Sequence, residues 1–386
     1  MTDPAAGPLV VHVTTTDISL ALLLGPQLRA FKQAGWRVVG ASAAGPYVAQ
    51  LQESGIDHVA LRYATRAVAP GKDVLALVEL VRLFRRLRPD VVHTHNPKPG
   101  IYGRFAARIA GVPAVVNTVH GIYATPEDRL RRRALVYTAE LLASLCSDAE
   151  LVQNPEDAAV LLRLGVPQRK VAVLGNGIDL SRFDPARTGA ADREAVRREL
   201  GARDDDVVVG VVGRLVWEKG YREVFEAVRL LRSEAPAVRV VCAGPEEPDK
   251  ADGVDRESLE EAKRNGAQWL GARSDVERLY AAFDMYVLAS YREGFPRSAM
   301  EAAAMGLPIV ATDIRGCRQV VDHGLTGLLV PPRDSTALAD AIAALAGDPS
   351  RRAAMGAAGR AKALVDFDQG PVIAKTLATY ARLTSR

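Results

Sequence analysis

The sequence predicts two doubly wound α/β domains in tandem. Three observations carry this. Short runs rich in β-branched residues alternate with segments of helical period. The alternation recurs in the second half of the chain. The length, 386 residues with 48% apolar content, supports two ordinary cores. A strand–helix–strand rhythm of this kind requires a parallel sheet covered on both faces.

In the first half, the runs at 9–13 (LVVHV), 36–42 (WRVVGAS), 57–61 (DHVAL), 90–95 (DVVHTH), 114–121 (AVVNTVHG) and 149–154 (AELVQN) read as strands. The segments 72–88 and 99–110 have the apolar spacing of helices. The second half supplies strands at 170–177 (KVAVLGNG), 207–213, 238–244, 267–272, 285–290 and 308–313. The boundary therefore falls near GVPQRKVAVLGNG, giving domains of 1–168 and 169–367. Ligands of such sheets lie beyond the carboxyl ends of the strands, and with two domains the expected place is a cleft between them.

Composition narrows the function classes. Lys plus Arg exceed Asp plus Glu by four, a mild excess that suits phosphates or an anionic surface. Aromatics make up 5%, with no basic–aromatic interleaving, which argues against nucleic acid as a partner. Cys146, Cys242 and Cys317 are widely spaced, with no metal-binding pattern, and read as reduced thiols. No apolar run approaches a membrane span and the N-terminus lacks a basic, then apolar, leader. The expected location is the cytoplasm.

The residues with chemistry follow strands. After the strand at 207–213 come Arg214 and, five residues on, Lys219 before Gly220. Two cations beside a helix N-terminus suit an anion, most naturally a diphosphate, with a solvated basic loop as the plain alternative. After 267–272 comes Arg273, with Asp275 placed to cap a helix. The loop PEEP after 238–244 offers no obvious chemistry. After 285–290 comes REGFPRSAME, in which Glu293 stands at the mouth of a helix and Glu301 about one and a half turns inside it. A carboxylate accepts two hydroxyl hydrogen bonds. Two of them astride a helix mouth can hold two polyols joined by a diphosphate, the shape of a nucleotide-sugar. In the first half, His120 follows a strand beside Gly121, a position compatible with either a structural or a ligand-facing role. His93 and His95 alternate on one strand, ahead of Lys98. The absence of a nearby carboxylate or thiolate argues against a metal there.

The stretches GRLVWEKGY, YREGFPRSAMEAAAMGLPIVAT and GLTGLLVPPRD resemble the retaining glycosyltransferases of family 4, which have the GT-B fold. HTHNPKPGIYGR, VNTVHG and TDIRGCRQVV further resemble the branch that extends lipid-linked oligosaccharides for capsule, O-antigen or protein glycans. The resemblance runs from the first strand to the final helix. It implies that Arg214 and Lys219 bind the donor diphosphate, Glu293 the transferred sugar, Glu301 the ribose, and the backbone around Ala272 and Arg273 the base. Gly294, Phe295, Pro296, Arg297 and Ser298 would complete the donor site. His120 would reach the sugar near its 6-position. No metal or other cofactor is implied, and the last helix (368–386) would complete the first domain.

One departure concerns the loop after the first strand. Many relatives have Gly-Gly there, whereas this chain has TTTDISLALLL. The acceptor side is accordingly assigned to Asp17 and Ser19, with His95 and Lys98. The expected reaction moves a hexose or N-acetylhexosamine from UDP, with GDP as runner-up, to a polyprenyl-diphosphate-linked sugar. A sugar-nucleotide epimerase or hydrolase, or a transferase with a soluble acceptor, is the alternative. RLFRRLR (82–88) and RLRRRAL (129–135) mix Arg with apolar residues, so peripheral contact with the anionic inner face of the plasma membrane is expected. Solvated arginines over core-facing apolar residues are the competing reading.

Overall fold

The computed structural model describes residues 7–65, 69–95, 97–124, 128–247, 250 and 252–385. The chain divides into two compact units, Met1–Gly175 with Gly370–Arg386, and Asn176–Gln369. In the first unit, strands β1 (Leu9–Thr16), β2 (Arg37–Ala43), β3 (Asp57–Ala60), β4 (Val91–His95), β5 (Ala114–Val119), β6 (Ala149–Val152) and β7 (Val171–Val173) form one parallel sheet of order β3-β2-β1-β4-β5-β6-β7. In the second, β8 (Val207–Val212), β9 (Val238–Ala243), β10 (Gln268–Trp269), β11 (Met285–Leu288), β12 (Ile309–Thr312) and β13 (Gly327–Val330) form a parallel sheet of order β10-β9-β8-β11-β12-β13.

Both orders reverse after the third strand from one edge, between β1 and β4 and between β8 and β11. That reversal is the topological switch point of a doubly wound sheet. The central strands are buried on both faces, as their near-continuous Val runs require: Val10, Val11 and Val13 of β1 are fully enclosed, as are Val208 and Val209 of β8. The first unit holds three apolar clusters and the second unit two. In the second unit Tyr280, Phe283 and Tyr286 pack on one side and Tyr221, Val224 and Leu231 on the other.

Two strand assignments change. The run at 170–177 does not open the second sheet: Val171–Val173 pairs with β6 and becomes the edge strand of the first. The break between units therefore falls at Gly175–Asn176 rather than at 168–169. The strand β13, which pairs with β12, was not anticipated; it takes the outer place in the second sheet. The last helix, Gln369–Thr384, belongs to the first unit and seats Tyr380 and Leu383 in its core.

The apolar residues of RLFRRLR face inward. Leu83 and Phe84 are buried while Arg82, Arg85, Arg86 and Arg88 are exposed, so the competing reading holds for that helix (Pro70–Leu87). The helix Leu130–Ser144 is different: Leu130, Leu135 and Leu142 are exposed, as is Leu145 just beyond it, with Leu130 at 77% and Leu135 at 72%.

Candidate active site

The second unit gathers its chemistry at the switch point. Arg214 and Lys219 lie after β8, and Ser290 and Glu293 after β11, the two strands that flank the reversal. The loops interlock through backbone. Tyr291 N–H donates to the Glu218 carbonyl (2.9 Å), and the hydroxyl of Thr312, at the end of β12, donates to the Ser290 carbonyl (2.6 Å). Gly220 is obligatory here. Its φ is +76°, and an added Cβ would lie 2.0 Å from the Ala289 carbonyl oxygen. Gly316 serves the same close approach, since a Cβ there would sit 2.5 Å from the Glu293 carbonyl oxygen.

Within that frame Lys219 Nζ donates to Glu293 Oε1 at 2.5 Å, and Ser290 Oγ donates to the same oxygen at 2.7 Å. Arg214 pairs with Glu247 at 2.9 Å. The cation and carboxylate assigned to diphosphate and sugar are thus one ion pair in this structure. The loop called PEEP does carry chemistry, because its Glu247 holds Arg214. Ser290 and Glu247 were not singled out from sequence; each becomes visible only once the ends of β9 and β11 are placed beside that of β8.

The helix Arg297–Ala304 has Pro296 at its N-cap. Its first amide bond runs from Met300 to the Pro296 carbonyl, so the preceding turn is presented at the helix mouth. Asn176 Nδ2 donates to the Phe295 carbonyl (3.0 Å) and fixes the loop, while Gly294 lies between Glu293 and this anchor. Glu301 accepts from the Tyr280 hydroxyl (3.0 Å), which also reaches the Ser298 carbonyl (3.1 Å). Desolvation pushes the Glu301 carboxyl above its usual range despite this bond and the charge of Arg297. Tyr280 is a further residue missed from sequence.

Arg273 bonds Asp275 (2.8 Å) and Glu199, and these hydrogen bonds hold its guanidinium above its usual pKa. Asp275 sits at the N-cap of Val276–Ala282, yet its carboxylate is drawn to Arg273 and makes no side-chain cap. Ala272 and Ser274, on either side of Arg273, are exposed.

The first unit treats the acceptor-side residues differently. Asp17 is buried, and its two oxygens accept from the N–H groups of Ile18 (2.9 Å) and Tyr47 (2.7 Å), so it anchors the loop before Val48. Ser19 opens a short π-helix, Ser19–Leu23, and its hydroxyl meets that of Thr16 at 3.4 Å. Lys98 pairs with Asp73 (2.6 Å) and the Thr65 carbonyl (2.9 Å). His95, assigned to the acceptor side from sequence, is 1% exposed and bonds His12 (3.0 Å) and His120 (3.1 Å), so both its ring nitrogens meet other imidazoles. His120, directly after β5, is only partly buried, and burial lowers its pKa to about 4. Among the described residues, His12, His93 and His95 are the one group of side chains with metal-ligand atoms within 4.8 Å of one another. Their nitrogens are already hydrogen-bonded: His12 to His95, and His93 to Tyr380 and Thr118 (2.7 Å). All three cysteines are free, and Cys242 and Cys317 are buried.

Two doubly wound parallel units, with paired cation and carboxylate at the second switch point, define a GT-B glycosyltransferase. The profile of the group 1 glycosyl transferases matches residues 192–362, and that of glycosyltransferase family 4 matches residues 27–182. An Escherichia coli UDP-Gal:alpha-D-GlcNAc-diphosphoundecaprenol alpha-1,3-galactosyltransferase is 32% identical over 282 residues, covering 72% of this chain and 71% of that protein. The D-inositol 3-phosphate glycosyltransferase of Kribbella flavida is 31% identical over 304 residues, 73% of this chain and 67% of that protein. Among solved structures, Anabaena HepE in complex with UDP and glucose superposes with a TM-score of 0.80 at 20% identity, over 96% of this chain and 99% of that one. The chain belongs to the family 4 glycosyltransferases and is an enzyme of that class.

Proposed function

We propose that the enzyme transfers a hexose or N-acetylhexosamine from a UDP-sugar, with retention, to a hydroxyl of a polyprenyl-diphosphate-linked sugar in cell-surface glycan assembly. The observation that carries the donor half is the Lys219–Glu293 pair at the switch point between β8 and β11. Lys219 and Arg214 take the diphosphate, each exchanging a carboxylate partner for phosphate oxygens. Glu293, released from Lys219, accepts from the sugar hydroxyls. Glu301, held by Tyr280, accepts from the ribose, and the mouth of Arg297–Ala304 faces the phosphates. Positive charge from Arg214 and Lys219 stabilises the departing nucleoside diphosphate, so these residues serve in place of a metal. The leaving phosphate oxygen then takes the acceptor proton on the same face of the sugar. His120 contacts the transferred sugar, as the family resemblance implies.

The lipid-linked acceptor draws on the E. coli relative, whose acceptor is diphosphoundecaprenol-linked. The inositol-phosphate relative supports the second reading, a soluble acceptor. The surface favours the first. On Leu130–Ser144, Ala134, Leu135, Thr138 and Leu142 line one exposed face, continued by Leu145, with exposed Arg131 and Arg132 at its start. Apolar side chains flanked by arginines suit an anionic lipid surface. No helix among the described residues is long and apolar enough to cross a membrane. The attachment proposed is peripheral, through the exposed face of Leu130–Ser144. Two experiments test the reading. A panel of UDP- and GDP-sugars is scored by thermal shift and slow hydrolysis, and a UDP-sugar should give the largest of both. Sedimentation with anionic vesicles should be lost at high salt and weakened by Leu135→Glu; binding that ignores lipid charge, salt and Leu135 removes the membrane claim.

A further inference from the structure

Four histidines and a tyrosine of the first unit form one continuous hydrogen-bonded chain. His12 of β1 pairs in register with His93 of β4, and His95 lies two residues on, so all three share one face of the sheet. The helix Gln369–Thr384 covers that face with Tyr380. Beginning at Thr118, Oγ1 meets His93 Nε2 (2.7 Å) and His93 Nδ1 meets the Tyr380 hydroxyl. That hydroxyl lies 3.4 Å from His12 Nε2, and His12 Nδ1 lies 3.0 Å from His95 Nε2. Finally, His95 Nδ1 lies 3.1 Å from Nε2 of His120, which also bonds the Gln153 side chain.

Burial keeps these rings neutral. It takes His12 down to about 3 and His120 to about 4, and His93 and His95 fall well below the ordinary value, helped by His12 and His120 and, for His95, by His93. A neutral imidazole has one N–H, so it donates at one nitrogen and accepts at the other. Three such rings in series admit only two complete arrangements. In one, every proton points toward His120: His95 donates to Nε2 of His120, and His120 carries its own proton on Nδ1. In the other, every proton points toward Tyr380: His120 donates from Nε2, and its Nδ1 can only accept, so the Gln153 amide must turn to donate. The Tyr380 hydroxyl proton, shared between His93 and His12, selects between them.

We infer that Tyr380, His12 and His95 are positioning residues that set the tautomer of His120 through this chain, and so decide whether Nδ1 of His120 donates or accepts. No charge moves and no metal is required. The effect of this setting on turnover rests on the reading that His120 contacts the transferred sugar; the setting itself does not.

The test uses the full chain labelled with 15N-histidine. Imidazole 15N shifts of His120 are recorded in the wild type, in Tyr380→Phe and in His12→Gln, whose amide fixes donor and acceptor on separate atoms. The expected result is a changed ratio of Nδ1–H to Nε2–H at His120 in at least one folded variant. An unchanged ratio in a folded variant of each kind, or in the only one that folds, overturns the proposal. A double-mutant cycle supplies the activity arm: His95→Phe should lower kcat roughly ten-fold with donor KM within about two-fold, and should cost nothing further in a His120→Ala background. Additive losses overturn the proposal. Wild-type kcat in His120→Ala would instead reject the sugar contact, and the 15N ratio alone would then decide the relay.

Discussion

Replacing Lys219 by Met should separate what the Lys219–Glu293 pair does for stability from what it does for chemistry. The two side chains meet at 2.5 Å and are 23% and 12% exposed, so the pair is partly buried. Removing the ammonium leaves a carboxylate that keeps only the Ser290 hydroxyl. Loss of a charge-assisted bond in such a setting costs about 2 kcal/mol, below the range for a fully buried pair. For a unit of this size that corresponds to a fall in Tm of about 4–8 °C. In the proposed role, the same change removes a cation whose attraction would grow as the diphosphate departs, so kcat should fall by about 10²–10³. Glu293→Gln in the Lys219→Met background removes the stranded charge and should recover most of the Tm but none of the rate. Thermal unfolding and turnover of a UDP-sugar at saturating donor read the two effects separately. Near wild-type kcat in Lys219→Met, or recovery of rate together with Tm in the double variant, would refute the assignment and leave an ion pair of structural value only.

Further outcomes concern the two glutamates, the buried histidines and Gly220. Glu301→Gln should weaken binding of free UDP, measured by calorimetry, whereas Glu293→Gln should leave it nearly intact. Because burial raises the folded-state pKa of Glu301 above 4.5, the native protein binds the extra proton, and stability is lost as pH rises past that value. Glu301→Gln should therefore raise Tm at pH 7 and leave it unchanged below pH 4; a lower Tm at pH 7 counts against the buried-carboxylate account. The histidines have the opposite sign. Their folded pKa values lie below 6.5, so the unfolded chain takes up protons first, and stability should fall as pH drops from 6.5 toward 4. Histidine ring shifts of His12, His93, His95 and His120 should stay flat from pH 8 to 5, and titration near 6.5 would contradict their burial. Gly220→Ala should destabilise the second unit by at least about 1–3 kcal/mol through its positive φ alone, with the Ala289 clash added, as measured by urea unfolding.

The sheets were legible because buried parallel strands are written as Val-rich runs between helical periods. What the pattern could not convey was membership. KVAVLGNG has the composition of an opening strand, but its three paired residues join β6, and only that pairing decides which unit owns them. GLLV at 327–330 is short and follows turn residues, so it did not stand out as β13. At the site, the cations and carboxylates were legible as residue types following strands. Their mutual pairing was not, because Lys219 and Glu293 meet only when β8 and β11 are neighbours. The same adjacency rule hid His12, which lies far from His93 and His95 in sequence but stacks on His95 and packs at a tilt against His93 because β1 borders β4. Asp17 and Lys98 looked available because polar residues after a strand usually are. In the fold Asp17 is consumed by backbone N–H groups, and Lys98 is held by Asp73 and Thr65.

The central claim is glycosyl transfer from a nucleotide-sugar with the Lys219–Glu293 cluster as its engine, and product analysis tests it most directly. Wild type and Lys219→Met are incubated with each UDP- and GDP-sugar and a short-chain polyprenyl-diphosphate-linked sugar. The acceptor is then examined by mass spectrometry, and the new linkage by anomeric proton NMR. The account predicts one added sugar from a UDP donor, with the donor's anomeric configuration kept, and almost none with Lys219→Met. An inverted linkage, consumption of donor without any glycosylated acceptor, or equal product from both proteins would contradict it.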